Sequence, residues 1–276
     1  MNRKETFNAI ILGIKDYFKK NNFQKAVIGL SGGLDSSVAV YLTAKALGSR
    51  NVTAVLMPDF GTSSKESMSD SKEIVKKLKI NHEIISINGF VENFEKINKN
   101  LKFKKNVFAV ANAKARARMM ILYYIANMQN ALVIGTSDKS EIALGYTTKY
   151  GDNASDILVI GDLYKTEVIE MGKYLGVPLK ILNKKPSAEL ISGVNAEKEL
   201  GASYKILDKI LELYIEKNLS KNEIEEKGFD KKVIENVARR IRINEHKRRS
   251  PAVIRLSEKS FHNMEWRMPI TNKFEE

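Results

Sequence analysis

Seven consecutive residues, Ser31-Gly-Gly-Leu-Asp-Ser-Ser37, combine hydroxyls, two adjacent glycines and one carboxylate. Gly32 and Gly33 allow backbone conformations and close approaches that a side chain would block. Together with Ser31, Ser36 and Ser37 they describe a phosphate cradle, which Gly29, Leu30 and Leu34 frame. Asp35 repels phosphate unless a divalent cation bridges the carboxylate to the phosphate oxygens. The combination therefore points to magnesium-nucleotide chemistry. No Gly-Lys-Ser/Thr follows, so it is not a Walker-type loop.

The flanking residues must aim this turn. Residues 26–30 are a short apolar run that reads as a buried strand. Residues 36–47 read as a helix, with Val38, Tyr41, Leu42 and Leu47 inward and Gly48 as its stop. A helix that starts at the turn points unpaired N–H groups and the positive end of its dipole at a bound anion. Helical spacing recurs at 2–20, 65–78, 89–105, 106–129 and 164–175, and strand patterns at 51–57, 82–87, 131–135 and 156–160. Such alternation predicts an α/β fold: a doubly wound, mainly parallel sheet with helices on both faces. Ligands then lie at the carboxyl ends of the strands. Lys184-Lys-Pro-Ser-Ala-Glu189 reads as a turn leading to a short helix, further helices follow at 203–217, 220–227 and 230–245, and no linker or repeat interrupts them. One domain is expected over 1–276, with an α/β core to about 180 and a helical C-terminal part from about 185.

Other polar groups fall where the sheet would open. Gly135-Thr-Ser-Asp-Lys-Ser-Glu141 follows a predicted strand. Thr136 offers a hydroxyl, and Glu141 a second oxygen for a cation held by Asp35, though Thr136 and Asp138 would equally describe a capped helix start. The loop from Gly145 to Asp156 is polar and too long for a simple turn; Lys149 suits a phosphate or carboxylate, and Asp152 and Asp156 suit ribose hydroxyls. Arg116 and Arg118 lie on different faces of one helix and do not share a role. His82, His246 and His262 have no metal-ligand spacing.

Composition bounds the rest. The chain has 276 residues, 43% of them hydrophobic, and a formal charge of +13. A basic balance suits phosphate-rich ligands, but the lysines are scattered and do not single out nucleic acid. With no cysteine, thiolate metal sites and thiol nucleophiles are excluded. The longest strongly apolar stretch, 119–128, is too short to span a bilayer, and the first residues read as an amphipathic helix, not a signal peptide. A cytoplasmic protein without membrane or nucleic-acid partners is expected.

Taken in order, these motifs resemble the ammonia-dependent NAD synthetases of the PP-loop ATP pyrophosphatase superfamily. The turn at 31–37, Asn112-Ala-Lys-Ala-Arg-Ala-Arg-Met119, the 135–141 stretch and Lys149-Tyr-Gly-Asp152 carry the likeness. Leu163-Tyr-Lys-Thr166, Lys185-Pro-Ser-Ala-Glu-Leu190, Glu199-Leu-Gly201 and His246-Lys-Arg248 extend it over nearly the whole chain. The resemblance implies that ATP, ammonia and nicotinate adenine dinucleotide (deamido-NAD) give NAD, AMP and diphosphate through an adenylated carboxylate. It implies that the residues from Gly29 to Ser37, with Thr136, Lys165 and Ser187, bind ATP, and that Asp35 and Lys165 are catalytic. Asp35 and Glu141 would hold Mg²⁺, and Arg116, Lys149, Asp156, His246 and Lys247 the dinucleotide. It further implies a homodimer formed through the 106–129 helix. Asn153-Ala-Ser155 stands where the family often has more glycine, and Ser187 where threonine is common. Glutamine-dependent versions add an amidohydrolase domain with a cysteine nucleophile; this chain has neither that length nor a cysteine, so free ammonia is the expected nitrogen source. The rival readings are a tRNA-modifying PP-loop enzyme of lysidine-synthetase type and a non-catalytic ATP-binding module.

Overall fold

Alternate residues of one short strand are claimed by two different cores. In β1 (Lys25–Gly29), Ala26 and Ile28 join one apolar cluster and Val27 another, and all three are fully buried. A strand covered on both faces belongs at the centre of a parallel sheet. In this computed structural model, which describes residues 2–59, 63–100, 106–184 and 196–260, it does lie there. The sheet order is β3 (Asn81–Ile84), β2 (Val52–Leu56), β1, β4 (Ala131–Gly135), β5 (Ile157–Leu158). Every pairing between these strands is parallel.

The chain winds outward from β1 through β2 to β3, then returns to β1's other side for β4 and β5. The order of the strands therefore reverses between β1 and β4, which opens a crevice beyond their carboxyl ends. Ile28 pairs with Ile134, so the turn after Gly29 and the loop after Gly135 emerge level. The expected doubly wound architecture is thus present, and both predicted polar segments open into its switch point.

One face carries α1 (Arg3–Lys20), α2 (Leu34–Leu47), α3 (Lys65–Leu78), α7 (Lys165–Leu175) and α8 (Leu179–Leu182). The other carries α4 (Asn88–Asn100) and α5 (Val107–Gln129). A third cluster joins α6 (Lys139–Leu144) to α9 (Ala196–Leu200), α10 (Tyr204–Leu211), α11 (Lys221–Glu226) and α12 (Lys231–Ile243). The C-terminal helices are thereby packed on the helix that follows β4. A short α13 (Glu245–Arg248) ends the described helices. Ser187, His262 and the turn expected after Lys184 lie outside the described residues, as does the lysine-rich stretch from 101 to 105.

Three local differences from the sequence pattern have physical causes. The organising helix starts at Leu34, because Gly33 in extended conformation (φ −84°, ψ 168°) serves as its N-cap; Asp35 therefore stands in the first helical turn. The helix expected at 203–217 changes after Leu211 into one wider π turn, Glu212–Glu216, from which Glu216 accepts hydrogen bonds from Tyr164 Oη and Lys139 Nζ, both at 2.8 Å. The short α8 has no counterpart in the sequence pattern; Pro178 starts it, with its fixed φ and no N–H to leave unpaired.

Gly32 adopts φ +80°, and an added Cβ would lie 2.2 Å from the Ser67 carbonyl oxygen. Gly32→Ala should therefore cost about 1–3 kcal/mol and impair ATP use. Gly13→Ala, at an open helical position, should instead leave stability equal or higher. Denaturant titration of both variants checks the contrast; equal effects would contradict it.

Candidate active site

The phosphate turn is held by its own hydroxyls. Ser31 N–H donates to Ser36 Oγ at 3.3 Å, Gly33 N–H donates to Ser31 Oγ at 3.2 Å, and the two hydroxyl oxygens lie 3.0 Å apart. Among the described residues no side chain caps α2, so its first N–H groups remain directed at the cleft. Ser31, Gly33, Leu34, Asp35 and Ser36 line a cavity of about 410 Å³, together with Gly29, Leu30, Thr136, Glu141 and Lys165. Ser37 does not line it. Its hydroxyl is fully buried and donates to Gly33 O at 2.5 Å, so it braces the helix start.

Lys165, the first residue of α7, is the centre of charge. Its ammonium lies 2.7 Å from Asp35 Oδ2, 2.8 Å from Asp138 Oδ2 and 3.0 Å from Glu141 Oε1, with its side chain 3% exposed. It also sits over the Tyr204 ring, 5.2 Å from the centroid. Burial opposes the ammonium charge, yet Asp35, Glu141 and Asp138 outweigh it and hold the lysine pKa well above its usual range. Burial in turn pushes Asp138 up to about 6, against the pull of Lys165. Glu141 is raised well above the ordinary carboxylate range by burial, with Asp138 and Asp35 adding repulsion.

Three carboxylates around one ammonium leave the cluster with excess negative charge. Oxygens of Asp35, Asp138 and Glu141 lie within 4.8 Å of one another, and Asp35 Oδ1 is buried with no hydrogen-bond partner among the described residues. Hard oxygen donors with surplus charge beside a phosphate turn fit a small divalent cation. Asp138 also shapes the backbone here. It accepts Glu141 N–H at 2.8 Å and caps α6, while its own N–H donates to Glu141 Oε2 at 3.4 Å. The capped helix start and the acidic cluster are thus one arrangement.

Asp208, on α10, steadies the lysine from behind. It accepts from Ser140 Oγ at 2.6 Å and Thr166 N–H at 2.9 Å, and Ser140 Oγ accepts Lys165 N–H at 3.0 Å. Sequence reasoning misses three of these residues. It marks Asp138 only as a cap, and Asp208 and Tyr204 look like ordinary residues of an amphipathic helix. Asp208's one local signal is its burial on the apolar face of α10.

A second group of cations assembles around the loop from Gly145 to Asp156. Arg116 Nε and Nη2 donate to Lys149 O at 3.3 and 3.1 Å. Lys247 Nζ donates to Gly145 O at 2.6 Å and Thr147 O at 2.8 Å, and burial lowers its pKa. His246 lies exposed beside it on α13. Lys149 Nζ covers the Tyr150 ring at 5.1 Å. Arg118 donates instead to Met57 O at 3.2 Å, so the two arginines do part as their spacing predicts. Asp156 does not join the cations: its Oδ2 accepts Val133 N–H at 2.7 Å and its Oδ1 accepts Tyr123 Oη at 3.3 Å. Pinned to the edge of β4, that carboxylate orders the loop. Asp152 Oδ1 likewise accepts Thr148 N–H at 2.7 Å.

A doubly wound sheet with a phosphate turn and an acid–lysine cluster at its switch point defines a nucleotide-binding α/β protein of the PP-loop type. Comparison with known proteins sharpens this. The family model described as NAD synthase matches residues 6–251, and the chain belongs to that family. It is 40% identical to the NH(3)-dependent NAD(+) synthetase of Fusobacterium nucleatum, over 93% of this chain and 97% of that protein. It is 42% identical to the glutamine-dependent NAD(+) synthetase of Thermotoga maritima, over 99% of this chain but 48% of that protein. Among solved structures, an NMN synthetase from Francisella tularensis superposes with a TM-score of 0.82 at 34% identity, covering 93% of this chain and all of that one. No described helix is long and apolar enough to cross a membrane.

Two substitutions should shift metal-free stability in opposite directions. Lys165→Met leaves three carboxylates without their cation and should cost about 3–5 kcal/mol. Asp138→Asn keeps the cap and relieves repulsion. The folded pKa of Asp138, about 6, exceeds its reference value of 3.8, so the fold penalises its ionised form. The gain from Asp138→Asn should be full above about pH 6 and fade as pH falls toward about 4. Thermal melts in chelator across that range measure both; a loss of stability in Asp138→Asn at pH 8 would refute the assignment.

Proposed function

We propose that this cleft amidates nicotinate adenine dinucleotide with ammonia at the expense of ATP, giving NAD, AMP and diphosphate. The observation that carries the reading is the Lys165–Asp35–Glu141 cluster beside the open N-terminus of α2, in one cavity with the phosphate turn. The family and its ammonia-dependent members support the reaction and the nitrogen source.

Hydroxide is a poor leaving group, so the nicotinate carboxylate must be activated first. A carboxylate oxygen attacks the α-phosphorus of ATP. The bond from that phosphorus to the bridging oxygen breaks, and its electron pair leaves with pyrophosphate. Ammonia then adds to the acyl carbon, the bond to the AMP oxygen breaks, AMP departs and one proton is released. Between them, the two steps require alignment of anions and neutralisation of charge more than side-chain acid–base work.

The residues divide this work. The N–H groups of the turn and of α2 take the ATP phosphates, with the Ser31 and Ser36 hydroxyls beside them. Thr136 lines the cavity at the end of β4 as a further ATP contact. Asp35 and Glu141 would hold Mg²⁺, which supplies Lewis acidity and alignment at the phosphates. Lys165, already charged and held in place, presents a point charge to the phosphates. Arg116, Lys149 and Lys247, with His246 beside them, form the surface for the dinucleotide diphosphate and the loop that shapes it.

Purified protein with ATP, Mg²⁺, ammonium and nicotinate adenine dinucleotide should yield NAD and pyrophosphate in equal amounts. Glutamine in place of ammonium should give none. Nicotinate mononucleotide is the informative second acceptor, because the Francisella neighbour is named for NMN synthesis; turnover of the mononucleotide alone would refute the dinucleotide assignment. Asp35→Ala should abolish turnover and keep the circular dichroism of the native fold.

We also infer a homodimer through α5. Ile121, Ile125 and Ala126 face the core, whereas Met120, Tyr124 and Met128 form a stripe at helical spacing that is 53%, 67% and 71% exposed. A long apolar stripe on an otherwise charged surface is the mark of an interface. Met128→Glu should shift the sedimentation coefficient of the dimer to that of a monomer; an unchanged dimer would exclude this face. Water-soluble substrates of this kind support a cytoplasmic enzyme.

A further inference from the structure

A second lysine reaches the nucleotide cavity, from the end of α8. Lys184 Nζ lies 2.6 Å from Ser67 Oγ and 3.4 Å from Asp70 Oδ2, and its side chain is 21% exposed. Asp70 is 1% exposed, and its other oxygen lies 2.6 Å from Lys180 Nζ. Lys180, which also lies 2.8 Å from Glu73, shares in answering the charge of Asp70, and the nearest partner of Lys184 is a neutral hydroxyl. An ammonium held by a hydroxyl and one long contact can exchange them for a phosphate oxygen at little cost.

The position of Ser67 says which phosphates. Ser67 belongs to the first turn of α3, and its carbonyl oxygen is the atom that an added Cβ at Gly32 would meet at 2.2 Å. Its neighbour one turn on, Ser71, donates from Oγ to Leu30 O at 3.2 Å. The phosphate turn thus lies directly against this end of α3, and Ser67, Ser71 and Lys184 line the cavity that it opens into. Lys165 serves the Asp35 end of the turn; Lys184 serves the flank where Gly32 meets α3.

We propose that Lys184 binds the β- and γ-phosphates of ATP and keeps hold of them as pyrophosphate leaves. The assignment rests on the reading of this cleft as the ATP site. When the α-phosphorus–oxygen bond breaks, its electron pair passes to the bridging oxygen, and pyrophosphate departs with one more negative charge than that group carried in ATP. Lys184 supplies positive charge where that negative charge collects. In the nucleotide-free protein Ser67 and Asp70 keep the ammonium close to this position.

The test compares Lys184→Met and Lys184→Arg with the unaltered enzyme. Loss of one charge-assisted hydrogen bond corresponds to about tenfold or more. Lys184→Met should lower kcat/KM for ATP and weaken product inhibition by pyrophosphate, each by at least about that factor, while inhibition by AMP stays within about twofold. Lys184→Arg should recover most of both. Equal weakening toward AMP and pyrophosphate, or no change in either, would overturn the proposal. Acetylation of the unaltered enzyme by a lysine-selective reagent, read by peptide mass spectrometry, works even if the Met variant does not fold. Pyrophosphate should protect Lys184 and AMP should not; no protection by pyrophosphate would overturn the assignment. An unaltered enzyme that releases no pyrophosphate from ATP would sink the reading of the cleft itself, whereas an active enzyme with unprotected Lys184 would sink this proposal alone.

Discussion

One buried ammonium surrounded by three carboxylates is the constraint on which the site depends. Lys165 cannot be withdrawn from water alone, and neither can Asp35, Asp138 and Glu141. They come from three separate helix starts, so their contact draws α2, α6 and α7 to one point. The balance is also incomplete, because one positive charge does not match three negative ones. Burial raises the pKa values of Asp138 and Glu141, and the surplus of carboxylates around Lys165 is what makes the cluster receptive to a further cation. A site that is electrostatically unsatisfied without ligands trades some stability for affinity toward what it binds.

Topology and helical packing serve this contact. The reversal of strand order between β1 and β4 brings the phosphate turn and the Thr136–Glu141 segment level with each other. The C-terminal helices then act as a brace: Asp208 secures the start of α7 through Thr166 N–H and Ser140 Oγ. Arg248 donates to the Ile142 and Ala143 carbonyls at 2.9 Å, closing the end of α6. The same segment supplies Lys247 to the loop carbonyls at Gly145 and Thr147. The acid–lysine cluster and the proposed dinucleotide surface therefore stand at opposite ends of one short helix.

Much of this could be read from the chain because local signals coincide with the chemistry. The phosphate turn, the strand before it and the helix after it are contiguous, and Glu141 follows a strand that must end at the same crevice. What could not be read depends on contacts between distant residues. The partners of the Asp156 carboxylate, Val133 N–H and Tyr123 Oη, lie 23 and 33 positions away. Asp208 falls on the apolar face of α10, but the partner that gives it a role, Ser140, lies 68 positions away. Lys184 is one lysine among many until Ser67 and Asp70 locate it. Family resemblance supplied the substrate's identity, which no spacing of residues encodes.

The central claim is that the cleft activates a carboxylate by joining it to the α-phosphorus of ATP. Nicotinate adenine dinucleotide labelled with ¹⁸O in both carboxylate oxygens tests this directly. After turnover with ATP and ammonia, mass spectrometry of the products should find one ¹⁸O atom in AMP, one in the NAD amide and none in pyrophosphate. Label in pyrophosphate, or AMP without label, would contradict it.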